Sequence, residues 1–353
     1  MTGPLRLAVI GVGDVAYRDY LPHAGRVAHL GRVEMVISRD RARVDKAAQD
    51  FSVPRAETDW RAALDAGIDA VINLTPAPVH SEINLALAQA GRSFYSEKPY
   101  ALSVADGRAI RDAAAQSGAV VAAAPSVMVY PQVMRAAEIL ASGEIGAVRS
   151  VRSNANTSPP PWGGYIGDHA PFFSAEVGPL SDMGVYPLHA LTGLLGNVAE
   201  VSAISRRART SFVVPDGPFA GTVVPVEGDD NWLIIMALAS GVLATLQVAF
   251  CVTQAEGCTI DIAGEKGSIL VQLLDPAAPI TVLSPRGQRR EAVLHDRSDG
   301  PDHILGVQDF LLAIRDGRDP VIDVGHGLHV LAIREAAMTS SVTGRRIDVA
   351  SYQ

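Results

Sequence analysis

Asp182, Tyr186 and His189 are separated by four and seven positions, offsets that share one face of a helix. A carboxylate, a phenol and an imidazole on one face can hold a hydroxyl group and move its proton. An unperturbed phenol titrates near about 10, too high for a good base at neutrality. A nearby ammonium lowers that value by favouring phenolate. Lys98, in Glu97-Lys98-Pro99 after a strand-like run, is the candidate ammonium. Oxidising a carbinol by hydride removal needs such a partner for the hydroxyl proton. We assign Tyr186 as proton donor and acceptor, Lys98 as its electrostatic partner and Asp182 as orienter. Plainer readings stand beside these. Lys98 can be a surface lysine, Asp182 a helix cap, Tyr186 a packed aromatic with a satisfied hydroxyl and His189 a core histidine.

A second constellation binds rather than reacts. Leu5–Ile10 is apolar and runs into Gly11-Val12-Gly13-Asp14-Val15-Ala16, a G-x-G-x-x-A turn between a strand and a helix. Gly11 permits the tight turn, Gly13 lets backbone approach a pyrophosphate, and Ala16 lets helix and strand pack closely. Free N–H groups along Val12 to Val15, at a positive helix end, suit an anion. The next strand ends at Ser38-Arg39-Asp40. An acidic residue at this tip ordinarily accepts from the adenosine ribose of NAD, but Ser38 takes that place. Arg39 follows, and a guanidinium pairs well with a 2′-phosphate. NADP is therefore the preferred dinucleotide. A register shift of two residues would bring Asp40 to the tip and restore NAD.

These residues need elements to hold them. Strand-like runs at Leu5–Ile10, Val33–Ser38, Ala70–Leu74, Ser93–Ser96 and Val120–Ala124 alternate with helical stretches near Val15–His29, Ala42–Phe51, Trp60–Ala66, Val79–Ala90 and Val104–Ser117. Such alternation implies βαβ units and a doubly wound parallel sheet of the Rossmann type over residues 1–124. Residues 125–353 read as an α+β substrate-binding and oligomerisation domain with a large, mainly antiparallel open sheet. Strands are expected at Val148–Asn156, Glu200–Ser205, Trp232–Leu238, Val242–Phe250, Thr259–Ala263 and Ser268–Leu273, with hairpins at Ser240-Gly241 and at Gly264 to Gly267. Helices are expected at Gln132–Ser142, at Ser181–Leu195 carrying the three site residues, at Ile304–Asp316 and at Gly327–Thr343.

The glycine turn, Thr75-Pro76-Ala77-Pro78-Val79-His80, Ser96-Glu97-Lys98-Pro99 and Asp182-Met183-Gly184-Val185-Tyr186 together resemble the Gfo/Idh/MocA family (glucose–fructose oxidoreductase, inositol dehydrogenase, rhizopine catabolism). Gly264 to Ser268 looks like that family's sheet hairpin, so the resemblance covers nearly the whole chain. It implies a nicotinamide oxidoreductase acting on a sugar, inositol or related polyol. By the same resemblance Thr75, Pro76 and His80 line the cofactor cleft, and Glu97 and Lys98 sit beside the nicotinamide. Lys98 would touch cofactor ribose and substrate hydroxyl, and Asp182 would bind substrate. Tyr186 stands where many members carry histidine, and its tyrosine resembles the glucose–fructose oxidoreductase and dihydrodiol dehydrogenase branches. The chain departs from the pattern at Ala77, where asparagine is common, and before Pro131, where an arginine–aromatic pair is missing.

Composition narrows the partners. The net charge is −8, with 38 acidic against 30 basic residues, and no basic footprint for nucleic acid exists beyond short Arg206 to Arg209 and Arg289-Arg290 runs. No apolar run is long enough to span a membrane, and Leu5–Ile10 is too short for a secretory core. With only Cys251 and Cys258, a cytoplasmic chain is expected. His23, His29, His169, His295, His303, His326 and His329 show no ligand spacing, so no metal site is assigned. Trp162, beside a proline triplet, and His189 are the further substrate-contact candidates. A homodimer or homotetramer is expected through the second domain's sheet. Two other functions remain open: a glycoside hydrolase assisted by transient oxidation of the sugar, and a non-catalytic dinucleotide sensor.

Overall fold

Short runs of buried apolar residues build the first sheet. β1 (Leu5–Ile10), β2 (Gly31–Ile37), α1 (Arg41–Asp50), β3 (Arg55–Glu57), β4 (Ala70–Asn73), α2 (His80–Gln89), β5 (Ser93–Ser96), α3 (Val104–Ser117) and β6 (Val121–Ala123) follow in chain order. The computed structural model describes residues 3–157, 163–252, 257–275, 278–294 and 303–352. Contacts divide the chain into residues 1–126 with 300–328, and residues 127–299 with 329–353.

In the first unit the sheet is parallel throughout, in the order β3-β2-β1-β4-β5-β6. β4 and β6 are buried at every position, as expected of strands covered on both faces. The order reverses between β1 and β4, so the crevice at their carboxyl ends is the switch point where doubly wound sheets bind ligands. The expected helix Val15–His29 is not a regular α-helix. It forms a π-helical turn, Ala16–Tyr20, followed by a 3-10 segment, Leu21–Val27. Pro22 has no N–H to donate into an α-helical ladder, so the wider turn hands over to a tighter one there. Trp60–Leu64 is likewise 3-10. β3 escaped the sequence reading because Arg-Ala-Glu carries no apolar pattern.

The second unit holds α4 (Pro131–Ala141), β7 (Val148–Asn156), α5 (Gly178–Asp182), α6 (Val185–Leu195) and β8 (Val198–Arg206), then β9 (Ser211–Val213) and β10 (Val223–Pro225). β11 (Asn231–Leu238), β12 (Leu243–Ala249), β13 (Cys258–Gly264), β14 (Gly267–Gln272), β15 (Ile280–Leu283) and β16 (Arg289–Ala292) come next. The chain closes with α7 (His303–Asp316), α8 (Val324–Thr343) and β17 (Ile347–Asp348). Nine strands form one sheet, in the order β16-β15-β14-β13-β7-β12-β11-β8-β17. Only β7 and β12 run parallel in it; the other pairs are antiparallel, including both expected hairpins. α8 is tied to this sheet where Val198 N–H donates to His329 Nε2 and Ala203 N–H to Ser340 Oγ. On the opposite strand positions Ile204, Leu233, Ile235 and Leu243 are exposed. Leu233 pairs with Ile204, and Ala237 with Leu243, so these side chains share one patch.

Assigning 300–328 to the first unit differs from a division at residue 124. Ile304, Val307, Phe310 and Leu311 of α7 lie in one core with Leu7, Val9, Val36 and Tyr95. An amphipathic helix announces that it has an apolar face, not which sheet will cover it. Among the described residues no helix is long and apolar enough to cross a membrane.

Candidate active site

The strand order places three candidate segments side by side at one edge of the first sheet. Register pairs Ile10 with Asn73, and Asn73 with Ser96. The turn at Gly11, the loop at Thr75-Pro76 and the loop at Glu97-Lys98 therefore leave adjacent strands at their carboxyl ends. Gly11 has φ +91°, and a Cβ there would stand 2.6 Å from the Leu74 carbonyl oxygen. The protein's own backbone thus demands glycine. Gly13 is different, because a Cβ there would meet nothing within 4 Å. Internal packing imposes no constraint at that position, so the turn has room for close backbone approach by a bound pyrophosphate. Ala16 is buried in the core beneath it. Asp14 is paired with Arg18 at 2.7 Å, and Arg18 also meets Asp19 at 2.5 Å. This pairing offsets a carboxylate that would otherwise repel an anion at the turn. The residues present fit a dinucleotide.

At the β2 tip, Ser38 is half-buried and Arg39 exposed. Arg39 makes no hydrogen bond or ion pair among the described residues. Asp40 is engaged in capping α1, where its carboxylate accepts from the Arg43 N–H at 3.1 Å.

Behind the loops lies a buried polar network. Thr75 donates from N–H (3.2 Å) and Oγ1 (2.7 Å) to Asn73 Oδ1. Asn73 Nδ2 donates to Asn84 Oδ1 at 2.8 Å. His80 is only 1% exposed, with Nδ1 2.7 Å from the Pro99 carbonyl and Nε2 2.6 Å from the Thr75 carbonyl. Burial holds its pKa below the usual histidine value, against the opposing pull of the two carbonyls and Glu97. Glu97 accepts from Tyr20 Oη at 2.5 Å and from the Lys98 N–H at 2.9 Å. Burial would raise its pKa, but His303, Lys98 and these donors outweigh it and hold the carboxyl below its ordinary range. Glu97 therefore stays anionic at neutral pH. Burial and the Glu97 charge push the Tyr20 phenol well up, so it remains a donor. Lys98 is half-buried.

The second unit corrects one expectation. Asp182, Tyr186 and His189 do not share a single helix. α5 ends at Asp182, and α6 starts after Met183 and Gly184. The Gly184 N–H turns back to the Pro179 carbonyl, and a Cβ on Gly184 would lie 2.7 Å from the Leu180 carbonyl. That tight approach breaks the run and puts Asp182 at the end of its helix, not at an N-terminal cap. Tyr186 and His189 remain on α6, three apart on one face. Asp182, Tyr186 and His189 are all buried. A carboxylate is rarely buried without an engaged role, and Asp182 does have interactions. Trp162 lies outside the described residues.

Several residues here escaped the sequence reading. Arg334 of α8 is buried and donates from Nε to Ser181 Oγ at 2.6 Å, and also to the Glu176 carbonyl. It thereby grips the segment leading into Asp182, and burial pushes its own pKa down. Within Ala-Ile-Arg-Glu-Ala it reads as an ordinary helix-surface charge. Asn73 left a trace as the polar end of an apolar strand. Asn84 left another, one helical turn after His80.

Residues 5–124 match a model described as an oxidoreductase family with an NAD-binding Rossmann fold. Residues 133–270 match the GFO/IDH/MocA C-terminal domain. Scyllo-inositol 2-dehydrogenase (NAD(+)) of Bacillus subtilis is 23% identical over 328 residues, 91% of this chain and 90% of its own. D-xylose 1-dehydrogenase (NADP(+)) 2 of Haloferax volcanii is 24% identical over 347 residues, covering 98% of this chain and all of the relative (100%). The solved structure of levoglucosan dehydrogenase in complex with NADH has a TM-score of 0.84 at 21% identity, covering 98% of this chain and 99% of that one. At that identity the likeness speaks to fold. With both of its characteristic domains matched in the expected order, the chain belongs to the Gfo/Idh/MocA family of oxidoreductases.

Proposed function

We propose that this chain is an NADP-preferring dehydrogenase or reductase that interconverts a hydroxyl and a carbonyl carbon on a sugar, inositol or related polyol. One observation carries the reading: the Gly11 turn, the Thr75-Pro76 loop and the Glu97-Lys98 loop lie on adjacent strands at the switch point. The names of the relatives, an inositol and a xylose dehydrogenase, support the substrate class. Bound nicotinamide supplies the hydride acceptor or donor. The turn from Gly11 to Val15, with Ser38, Arg39, Thr75 and Pro76, holds the dinucleotide. Tyr186 exchanges the hydroxyl proton, Lys98 supplies positive charge that favours phenolate, and Asp182 orients the hydroxyl or the lysine. His189, on the Tyr186 face of α6, is a candidate substrate contact, as is Trp162.

The test is NADPH absorbance followed across a panel of polyols, aldoses and keto-sugars. Net cofactor turnover with at least one of them is expected. Release of an aryl leaving group from glycosides without net cofactor change would overturn the reading.

Arg39 sets the dinucleotide preference in this account, being exposed and unengaged at the tip while Asp40 caps α1. Hydrogen bonds to a charged group contribute about 1.5–3 kcal/mol, so Arg39→Ala should weaken NADP binding by roughly 10- to 100-fold. NAD binding should change little, and equal losses measured by calorimetry would exclude the 2′-phosphate role. The exposed patch of Ile204, Leu233, Ile235 and Leu243 suits burial against a second copy in a homodimer or homotetramer. Leu233→Asp should then shift sedimentation toward monomer; an unchanged profile would rule that face out.

A further inference from the structure

His80 opens α2, and Asn84 follows one turn later on the same face. Both are buried, and between them they grip the chain on either side of Lys98. Asn84 Nδ2 lies 2.8 Å from Ser96 Oγ and 2.8 Å from the Tyr100 carbonyl. The His80 ring nitrogens stand 2.7 Å from the Pro99 carbonyl and 2.6 Å from the Thr75 carbonyl, and its one N–H in the neutral form donates to one of them. Ser96, held by Asn84, donates in turn to the Glu97 carbonyl at 3.1 Å. The Glu97 N–H donates to the Asn73 carbonyl at 2.8 Å. The residues before and after Lys98 are thus tied to α2, β4 and the Thr75 loop, and the lysine backbone has little freedom.

We propose that His80 and Asn84 are positioning residues for Lys98, setting where its ammonium stands without touching the reacting atoms. His80 is unsuited to contact a ligand directly, since it is buried and both nitrogens face backbone carbonyls inside the fold. A neutral imidazole carries one N–H and can donate to only one of the two carbonyls. The charged groups that bear on the ring are Glu97 and Lys98. The fully buried Asn84 has its amide committed on both sides: Oδ1 accepts from Asn73, and Nδ2 faces Ser96 and Tyr100. Displacement of a catalytic group by about 1 Å costs roughly 100-fold in rate. Loosening this brace should therefore appear in turnover before it appears in dinucleotide binding.

The inference rests on Lys98 belonging to the proton relay proposed above, and the experiment separates the two. His80→Leu, His80→Gln and Asn84→Ser are made in the full chain and in a Lys98→Met background, with melting temperature, dinucleotide affinity and single-turnover hydride transfer measured. His80→Leu is expected to slow hydride transfer about 100-fold and to leave dinucleotide affinity within about threefold. His80→Gln, which keeps one donor, should recover about tenfold of that loss. In the Lys98→Met background the same substitutions should cost nothing further. Normal hydride transfer in folded His80→Leu, or the same fold-loss with and without Lys98, would overturn the proposal. Should His80→Leu not fold, the same comparison with Asn84→Ser decides the question. If Lys98→Met alone reacts normally, the relay reading fails instead.

Discussion

Lys98→Met is expected to cut turnover about 1,000-fold while dinucleotide affinity stays within a few-fold. Positioned acid–base groups contribute about 10²- to 10⁴-fold, and under the proposed relay one substitution removes the ammonium assigned to favour the phenolate. Methionine keeps an apolar stem of similar length, so the half-buried position loses its ammonium with little change in packing. In the proposed reading, dinucleotide binding rests chiefly on the turn after β1 and the β2 tip. Glu97 would feel the change as well, because Lys98 is one of the positive charges that hold its carboxyl low. Single-turnover measurement with saturating cofactor checks the rate, and calorimetry checks affinity. Near-normal catalysis would remove Lys98 from the reaction.

The second large effect divides the two glycines of one turn. Gly11→Ala places a Cβ 2.6 Å from a backbone oxygen at φ +91°. Neither the Leu74 carbonyl nor the neighbouring strand can yield cheaply, so a loss of about 3 kcal/mol in stability is expected in urea unfolding. Gly13→Ala meets nothing inside the protein. Its stability should stay within about 0.5 kcal/mol of the parent, while dinucleotide affinity drops about tenfold or more, equivalent to 1.4 kcal/mol or more. A Gly13→Ala chain that binds dinucleotide normally would show that no pyrophosphate approaches there.

Much of the fold could be read from the residues because burial leaves a period in the sequence. β1, β5, β7 and α3 begin and end where the apolar patterning does, and both expected hairpins of the second sheet fall on glycine turns. Failures occurred where the deciding contact is distant. The break between Asp182 and Tyr186 is the local exception: Gly184 sits against the Leu180 carbonyl only four residues back, where a continuous helix face was expected for Asp182, Tyr186 and His189. Pro22 marks where the helical ladder loses a donor, but not that a π-turn passes into a 3-10 segment there. α7 carries an apolar face without stating which sheet will cover it. The same limit applies to the site. The glycine turn and Glu-Lys-Pro are legible because backbone geometry and charge demand particular residue types over a short span. His80, Asn84 and Arg334 act on partners 5 to 158 positions away, and only folding brings those partners into range.

The most direct test of the account is a double-substitution cycle on Lys98→Met and Tyr186→Phe, read as single-turnover hydride transfer to or from a polyol that the panel identifies. Members of one proton relay lose most of their effect when either is missing, so the double variant should be scarcely slower than the slower single variant. Rate losses that simply multiply would mean that the lysine and the phenol act independently, and the relay would be contradicted.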